Sequence, residues 1–225
     1  INKLNFRGNL TSGFEIQLPK ESGAIKVYVN VKDTFNNIGI ASASIIVSDE
    51  KAKNKKYLVA KTELPFYVYK DGDDLPYGPT GYMGNYKSIS VDLNNKEDVH
   101  SGKSSLKISY NAYHDWYGVA FVDPPNDWGD HLGGYEIDGA KEFSFWAKAS
   151  KKNVMATIGF GLIGKDKPFP DTSKKSIEVK LSTKWKKYTI DVQKLDLSCI
   201  RSGLVLFSNA YGSPQNIYLD DVVFE

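Results

Sequence analysis

The chain has 225 residues, of which 41% are hydrophobic and 13% aromatic, and this composition is typical of a folded protein rather than a disordered tail. Its 29 Lys and Arg against 27 Asp and Glu give a net charge of +2, too small to hold a polyanion. All basic residues except Arg7 and Arg201 are lysines, so the planar groups that grip phosphates are scarce. These numbers argue against a nucleic-acid partner. The sequence also has no apolar run of about eighteen residues, the length that a membrane-spanning helix needs.

Apolar and polar residues alternate with a period of two along most of the chain, which predicts β-strands. Gly, Asn, Asp and Pro separate these segments, and no segment keeps a helical spacing for three turns. A turn or two near residues 193–197 is the only helix that we expect, so the sequence predicts an all-β protein. The predicted strands are residues 24–31, 40–47, 87–93, 104–112, 117–124, 141–149, 154–163, 175–182, 185–192, 203–209 and 217–225.

A lysine-rich polar run at residues 48–65 interrupts the strand pattern and ends in Pro65. We interpret it as a linker and divide the chain into residues 1–62 and 63–225. The N-terminal part has about four strands, whereas an independent immunoglobulin-like sandwich needs about seven. We therefore expect it to be incomplete. Its remaining strands lie upstream in a longer parent chain, or it packs on the C-terminal part to cover its edges.

The residues that usually carry catalysis are few or scattered. The single cysteine, Cys199, excludes an internal disulfide, and its apolar surroundings favour a buried side chain. The histidines His100, His114 and His131 lack the spacing of a zinc site, and no G-x-S-x-G elbow is present. Glycoside hydrolysis needs two carboxylates about 5 to 9 Å apart across a cleft, and the many Asp residues leave such a pair open. We expect binding rather than catalysis, with an enzyme as the alternative.

Four segments of the C-terminal part together resemble the β-jelly-roll carbohydrate-binding modules of bacterial glycoside hydrolases. Each also suits a two-sheet sandwich, because each alternates apolar and polar residues or begins at a small polar turn. The segments are HSGKSSLKISY (100–110), KEFSFWAKAS (141–150), LSTKWKKYTIDV (181–192) and NIYLDDVVFE (216–225).

Further stretches add to this resemblance. Residues 66–92 and 113–140 are similar to a subgroup of these modules in multidomain glycoside hydrolases of glycan-degrading bacteria. Residues 18–47 resemble the last strands of the immunoglobulin-like accessory domains beside such catalytic domains. The resemblance implies a β-sandwich (jelly roll) with a short N-terminal immunoglobulin-like segment, a polysaccharide or oligosaccharide ligand, and a catalytic domain in the same parent chain. It also implies an extracellular, cell-surface or periplasmic location in a bacterium, and a structural calcium ion.

Flat aromatic side chains in polar loops are the candidate ligand contacts, because sugars stack their C–H faces on such rings. Trp116, in NAYHDWYG, and Trp128, in PPNDWGDHLGG, interrupt the strand pattern amid Asp, His and Gly. The alternative for each is that the indole only anchors its loop. Trp146 and Trp185 sit in alternating strands, where we expect packing in the core or between the sheets. The predicted ligand-binding residues are Trp116, Trp128, Tyr82, Tyr86, Tyr117, Tyr135, Asp115 and Asp127, and Tyr211 lies in a similar Gly- and Asn-rich loop.

Carboxylates are numerous, and such hard oxygen ligands suit calcium rather than zinc. Asp220 and Asp221 are neighbours on a strand, so their side chains should point to opposite faces, and one needs a partner inside or at the rim. In the related jelly rolls, a terminal-strand Asp joins carboxylates near the first strand to hold calcium. The resemblance therefore nominates Asp220 with Asp71 or Asp73 and the backbone of residues 100–102. The alternative is that these carboxylates cap turn N–H groups.

These observations predict a non-catalytic module that binds a polysaccharide by aromatic stacking and polar contacts. One alternative is a jelly-roll polysaccharide lyase or glycoside hydrolase, and a lyase would need a cleft with a Tyr/His pair near a basic residue. The other alternative is a structural spacer whose aromatic side chains all pack inward. The three interpretations differ in how many aromatic rings are exposed and in what surrounds those rings.

Overall fold

The computed structural model describes residues 23–32, 38–47, 59–72 and 75–225, and for the first two ranges it describes only the backbone. Nearly all regular structure in these residues is β-strand, with one 3-10 turn at Tyr86–Ser88. The all-β prediction is confirmed, whereas the helix expected at residues 193–197 is wrong, because that segment is a turn. The strands are β1 (Gly23–Lys32), β2 (Ile38–Val47), β3 (Ala60–Lys61), β4 (Phe66–Tyr69), β5 (Gly78–Gly84), β6 (Ile89–Asn95), β7 (Ser105–Tyr110), β8 (Trp116–Val122), β9 (Tyr135–Glu136), β10 (Glu142–Ala149), β11 (Val154–Phe160), β12 (Lys175–Leu181), β13 (Lys186–Asp191), β14 (Ser202–Asn209) and β15 (Gln215–Phe224).

Two antiparallel sheets pack face to face to form a β-sandwich. The six-stranded sheet has the order β13-β10-β15-β7-β6, and β4 also pairs with β15. The last strand, β15, pairs with β7 through its first half and with β4 through its second half. The five-stranded sheet has the order β12-β11-β14-β8-β5. Apart from the consecutive pairs β6–β7 and β11–β12, neighbouring strands are distant in sequence, so the chain crosses repeatedly between the sheets.

The core lies between the sheets, because alternation along each strand sends every second side chain inward. Tyr110 of β7 and Tyr117 of β8 stack across the interface, with ring centroids 4.2 Å apart and planes 7° from parallel. Phe143, Phe160 and Phe224 contact one another edge to face or tilted, with centroids 4.7 to 5.4 Å apart. This aromatic core stabilises the sandwich through burial and through favourable ring geometry. Cys199 is buried, as its apolar surroundings predicted.

The N-terminal part contributes two features to the described structure. β1 and β2 form an antiparallel hairpin in continuous register from Gly23 opposite Val47 to Lys32 opposite Ile38. β3 pairs in parallel with β9, and the N–H and hydroxyl of Thr62 both donate to the Glu136 carbonyl at 3.2 and 2.9 Å. Most of the predicted linker and much of the immunoglobulin-like segment lie outside the described residues, so the domain division stays a prediction.

Among the residues that the structure describes, no helix is long and apolar enough to cross a membrane.

Candidate functional site

The outer face of the five-stranded sheet is apolar at its centre. The pairings align Gly118 with Phe207 and Phe207 with Thr157, so these residues form one row across three strands. A Cβ added to Gly118 would lie 2.6 Å from the Phe207 ring, which means that the ring lies over the glycine. The next row places Ala120 beside Val205 and Val205 beside Gly159. Ala120 and Val205 are buried, and Met83, Leu162 and Phe207 pack against this cluster, so side chains of the protein itself cover the centre of this face.

A depression of about 120 Å³ opens on this face, and we call it the outer-face depression. Trp116 is 50% exposed and Met155 is 39% exposed, although both are large apolar side chains. Such contiguous exposed apolar surface on a soluble domain marks an interaction site. Thr157, Asn209 and the Glu178 carboxylate add polar groups. The depression is lined by Trp116, Met155, Ala156, Thr157, Glu178, Phe207, Ser208 and Asn209.

Trp116 is held in place by the turn that follows β5. The Asn85 N–H donates to the Trp116 carbonyl at 3.1 Å. Gly84 has a φ of +68°, and a Cβ there would lie 2.4 Å from the same carbonyl oxygen and 2.9 Å from the indole ring. Asp115, directly before the tryptophan, has a left-handed φ of 82°. Left-handed backbone at a non-glycine residue is costly and is concentrated at functional sites. One side of the indole thus rests on backbone, and the residue is half exposed.

Trp128 has a different role, because its indole covers the other end of the same sheet face. A Cβ on Gly81 would lie 3.1 Å from the Trp128 ring. Ala120, Val122 and Val205 are buried in this region, and Leu162 packs against them. Trp128 and Leu162 therefore cover the sheet face near Ala120, and we call these two residues the Trp128 wall. The indole anchors its loop, and we do not count it as an open platform equal to Trp116.

The wall is fixed by a buried ion pair. Arg201 is fully buried, and its Nη2 donates to Asp127 Oδ1 at 2.6 Å while Nη1 donates to the His131 carbonyl. Asp127 also accepts the Gly129 N–H at 2.8 Å and contacts His131 Nδ1 at 2.7 Å. Burial would raise the pKa of Asp127, but the hydrogen bonds from His131 and Gly129 and the Arg201 charge hold the pKa below its usual value. Both carboxylate oxygens of Asp127 thus have partners within the fold, and its role as a ligand contact stays a prediction.

Two predicted tyrosines are wrong as ligand contacts, because their rings are buried. Tyr117 is an inward position of β8, and its hydroxyl accepts a hydrogen bond from Gln215 Nε2 at 3.0 Å. Burial raises the pKa of Tyr117. Tyr135 is 6% exposed, and its hydroxyl donates to the Pro76 carbonyl at 3.0 Å. Both side chains stabilise the sandwich instead.

The other predicted tyrosines lie on the surface, together with one that the sequence did not single out. We call Tyr86, Tyr113 and Tyr211 the aromatic end; they are 55%, 61% and 76% exposed. Tyr82 is 39% exposed on the edge strand β5. The structure brings these loops to the end of the sandwich at which β8 begins, beside Trp116. Tyr113 was missed because it follows a strand directly and carries no further motif.

The predicted calcium carboxylates contact the turn that precedes β7. Asp71 Oδ1 accepts the Lys103 and Ser104 N–H groups at 2.7 and 3.0 Å. Asp220 is fully buried, and its Oδ2 accepts the His100 and Ser101 N–H groups at 2.9 and 3.1 Å. This arrangement matches the capping alternative of the sequence analysis. Burial raises the pKa of Asp220, against the effect of these hydrogen bonds.

Asp221 departs from the expected strand alternation. Its φ of 45° and the register shift at Val222 turn its carboxylate onto the same side as Asp220, and its Oδ2 accepts the Ser101 hydroxyl at 2.7 Å. Within residues 59–72 and 75–225, no group of three or more His, Cys, Asp or Glu side chains could hold a metal ion. The described residues alone do not form a calcium site. The turn presents N–H groups to Asp71 and Asp220, whereas calcium needs further oxygen ligands. Asp73 lies outside the described residues.

The expectation that Trp146 and Trp185 pack in the core or between the sheets is wrong, because both are only partly buried and pack around His100 on the outer face of the six-stranded sheet. The His100 ring stacks on Trp146, with centroids 3.7 Å apart and planes 18° from parallel. Trp185 meets the edge of the same imidazole at 5.8 Å. The amino group of Lys148 lies 5.9 Å from the Trp185 ring centre and pairs with Asp98. These rings already have protein partners, in contrast to Trp116.

No protein-family model matches the chain, and no curated protein matches its sequence. A solved structure that explains the promiscuous specificity of carbohydrate-binding modules from the β-sandwich superfamily aligns with a TM-score of 0.50, at 14% identity, over 92% of this chain and 76% of its own. The fold is that of β-sandwich carbohydrate-binding modules. A family 30 module of a cellulosomal cellulase from Clostridium thermocellum aligns over 72% of this chain and 98% of its own, with a TM-score of 0.46 and 15% identity. A family 61 module in complex with β-1,4-galactotriose aligns over 66% and 90%, with a TM-score of 0.43 and 16% identity.

Proposed function

We propose that this chain binds carbohydrate without catalysing a reaction, and that Trp116 and the outer-face depression form the contact surface. The observation that carries the proposal is the apolar group formed by the exposed Trp116 and Met155 with the partly buried Phe207 on the outer face of the five-stranded sheet. Aromatic rings of this kind stack on the C–H faces of sugars. Thr157 and Asn209 can exchange hydrogen bonds with the ring hydroxyls.

The expected affinity is modest. A shallow open surface leaves part of the ligand in water, and the association cost offsets much of the buried area. Dissociation constants on the order of micromolar to millimolar correspond to about 4 to 8 kcal/mol of binding free energy. Trp116 is pre-positioned by the turn at Gly84 and Asn85, so little side-chain entropy is lost when a sugar stacks on it.

The alternatives of the sequence analysis gain no support from the site. Glu178 is the one carboxylate among the residues that line the depression, whereas glycoside hydrolysis uses two facing carboxylates. The same lining residues include no histidine and no tyrosine, which the lyase alternative needs. A structural spacer would bury its aromatic rings, but Trp116, Tyr113 and Tyr211 are half exposed or more.

We also propose that the chain belongs to a larger glycan-degrading protein with a catalytic domain and acts outside the bacterial cytoplasm. The support is the resemblance of residues 66–92 and 113–140 to modules of multidomain glycoside hydrolases. In such a protein, the module would raise the local concentration of the catalytic domain at its polysaccharide.

A structural calcium ion at the DGDD turn, residues 71–74, remains a further proposal. Its support is the resemblance to jelly rolls that hold calcium at these positions, with Asp73 as an additional oxygen donor from sequence, whereas the described contacts of Asp71 and Asp220 are with turn N–H groups. Bound calcium would stabilise the fold by about 2.7 kcal/mol at a hundredfold excess over Kd. EDTA should then lower the melting temperature, and added calcium should restore it. Identical melting curves of metal-free and calcium-loaded protein would contradict the proposal.

Binding to a glycan array, followed by calorimetry of the purified protein, tests the main proposal. Trp116→Ala should weaken binding to the best glycan by about 1–3 kcal/mol, the usual value of a stacked aromatic contact. Leu64→Ala is the matched control, because it removes another exposed apolar side chain away from the depression. Thermal melting of both variants shows that they are folded. Unchanged binding by Trp116→Ala would show that the glycan does not bind at this surface.

A further inference from the structure

We propose that the bound carbohydrate is a chain of several sugars that leaves the outer-face depression and continues over the aromatic end. This inference rests on the proposed function and specifies the class of ligand, an extended oligosaccharide rather than a single terminal sugar.

The distribution of exposed rings is the first argument. Among the described residues, the exposed large hydrophobic side chains are Leu64, Tyr82, Tyr86, Tyr113, Trp116, Met155 and Tyr211. Trp116 and Met155 belong to the depression and Tyr86, Tyr113 and Tyr211 to the aromatic end, whereas Tyr82 pairs with the inward-facing Val119 and lies outside this group. Isolated exposed aromatic residues are ordinary on a protein surface, but a contiguous group indicates a contact surface.

Backbone hydrogen bonds join these loops to one another and to Trp116. The Gly212 N–H donates to the Tyr113 carbonyl at 2.8 Å, and the Ala210 N–H donates to the Asp115 carbonyl at 3.1 Å. Tyr113 is therefore itself hydrogen-bonded, and Tyr211 lies between two hydrogen-bonded residues, Ala210 and Gly212. Since Asn209 pairs with Trp116 in the sheet, both tyrosines lie directly beyond the open end of the depression.

The turn that carries the third tyrosine, Tyr86, is hydrogen-bonded to the same region. Tyr86 lies in the 3-10 turn after β5, and the Ser88 carbonyl of that turn accepts the Asn111 N–H at 2.9 Å. The Lys151 amino group donates to Ser213 Oγ at 2.7 Å and to the Ser213 carbonyl at 3.1 Å. These contacts order the loops before a ligand arrives, which reduces the entropy lost on binding.

The depression itself is too small for a longer ligand. It is a shallow, open feature of about 120 Å³, so a chain of several sugars would extend beyond it. Along β8 the sheet face is closed by Trp128 and Leu162 near Ala120. In the opposite direction it opens past Trp116 towards Tyr113 and Tyr211. A chain seated on Trp116 therefore passes over the aromatic end.

The test is calorimetry with the β-1,4-linked gluco- or galacto-oligosaccharide series that binds better on an array, from one to six sugars. Wild-type affinity should rise as the chain lengthens beyond two sugars. The double variant Tyr113→Ala/Tyr211→Ala should bind the disaccharide within about twofold of wild type and the longer chains at least about fivefold more weakly, as expected for a loss of about 1 kcal/mol. Trp116→Ala should weaken binding at every length, and Leu64→Ala should change none.

The outcomes separate the two proposals. Loss of binding in Trp116→Ala, with wild-type chain-length dependence in the double variant, would overturn the aromatic end and leave the depression intact. Unchanged binding in Trp116→Ala, or no binding of either series by wild type, would overturn both.

Nitration with tetranitromethane gives an independent measurement on the unaltered protein. The hexasaccharide should protect Tyr113 and Tyr211 from nitration and the disaccharide should not, whereas equal labelling with both would contradict the inference.

Discussion

Arg201 fixes the closed end of the site although it never reaches the surface. A buried guanidinium is tolerated only when its charge is paired and its N–H groups are used. Asp127 supplies the charge, and the His131 carbonyl accepts a further hydrogen bond. Burial lowers the pKa of Arg201, and the Asp127 charge opposes this effect. The ion pair thus holds the Trp128 wall against the sheet.

The two buried carboxylates should make opposite contributions to stability in acid. The pKa of Asp127 is lowered in the folded state, so its contribution is present above the usual value of 3.8 and is lost as the pH falls through the folded pKa. The pKa of Asp220 is raised by burial, so its contribution is present below 3.8 and is lost as the pH rises through the folded pKa. The free energy of unfolding from urea titrations at several pH values below about 6 measures both effects.

Asp127→Asn should make the fall in stability towards acid shallower, and Asp220→Asn should make it steeper. Each asparagine keeps an acceptor oxygen and removes the titration. Asp127→Asn should also lower stability at neutral pH, because Arg201 loses the charge that compensates its burial. If both variants change the slope in the same direction, these assignments are wrong.

Individual residues also show which ligand contacts could not be predicted from the sequence. Trp116 and Tyr86 were predicted as exposed contacts, and both are on the surface. Tyr117 was assigned to the same loop as Trp116, but it is the second residue of β8 and points inward. The position at which a strand begins decides which neighbour faces the core, and turn composition alone does not define it. The sequence also does not show that Arg201 lies beneath Asp127 and pairs with it.

At the level of elements, the close approach of the β5 turn to Trp116 controls the open end of the site. Gly84 and Gly212 offer a matched pair, with φ values of +68° and +74°. A Cβ on Gly84 would lie 2.4 Å from the Trp116 carbonyl oxygen, whereas a Cβ on Gly212 would meet nothing within 4 Å. Both alanine variants therefore carry the strain of left-handed backbone, but only the Cβ of Gly84→Ala would also collide with Trp116.

Gly212→Ala should cost about 1 kcal/mol of unfolding free energy, the strain of left-handed backbone. Gly84→Ala should cost clearly more and should also weaken glycan binding, because the turn can no longer support the indole of Trp116. Urea denaturation and calorimetry on the same samples measure the two effects. Equal costs in the two variants, with unchanged binding, would show that the turn does not position Trp116.

The long strands were predictable and the short ones were not. β10 lies within the predicted segment 141–149, and β15 overlaps the predicted segment 217–225 but begins at Gln215. β5, with the sequence GPTGYMG, was missed because Gly and Pro are typical of turns. It forms a strand because its partner β8 is central and its glycines allow Trp128 to lie against the sheet. Tertiary context overrides local preference here.

For the whole molecule, the candidate site depends on strands that are far apart in sequence. Trp116, Met155, Glu178 and Phe207 come from β8, β11, β12 and β14. Only the order of the five-stranded sheet makes them neighbours, so no local motif could have indicated this group. The fold class, by contrast, follows from alternation repeated along the chain, and it was predicted correctly.

The division of the chain predicts that the sandwich is independent of the N-terminal part. A fragment comprising residues 59–225 keeps β3 and its pairing with β9, together with both sheets. It should melt cooperatively near the temperature of the full chain and keep its glycan affinity. A fragment of residues 1–62 should show no cooperative transition. If residues 59–225 fail to fold, the two parts share one core and the boundary is misplaced.

The central claim is that glycan contacts Trp116 rather than the tryptophans of the opposite sheet. The chain has four tryptophans, and the indole N–H signal of each can be followed by NMR during a titration with the oligosaccharide that binds best on the array. We expect a saturating shift of the Trp116 signal, with no comparable shift for Trp146 or Trp185, whose rings pack around His100. Saturating shifts confined to Trp146 and Trp185 would place the binding surface on the six-stranded sheet and contradict this account.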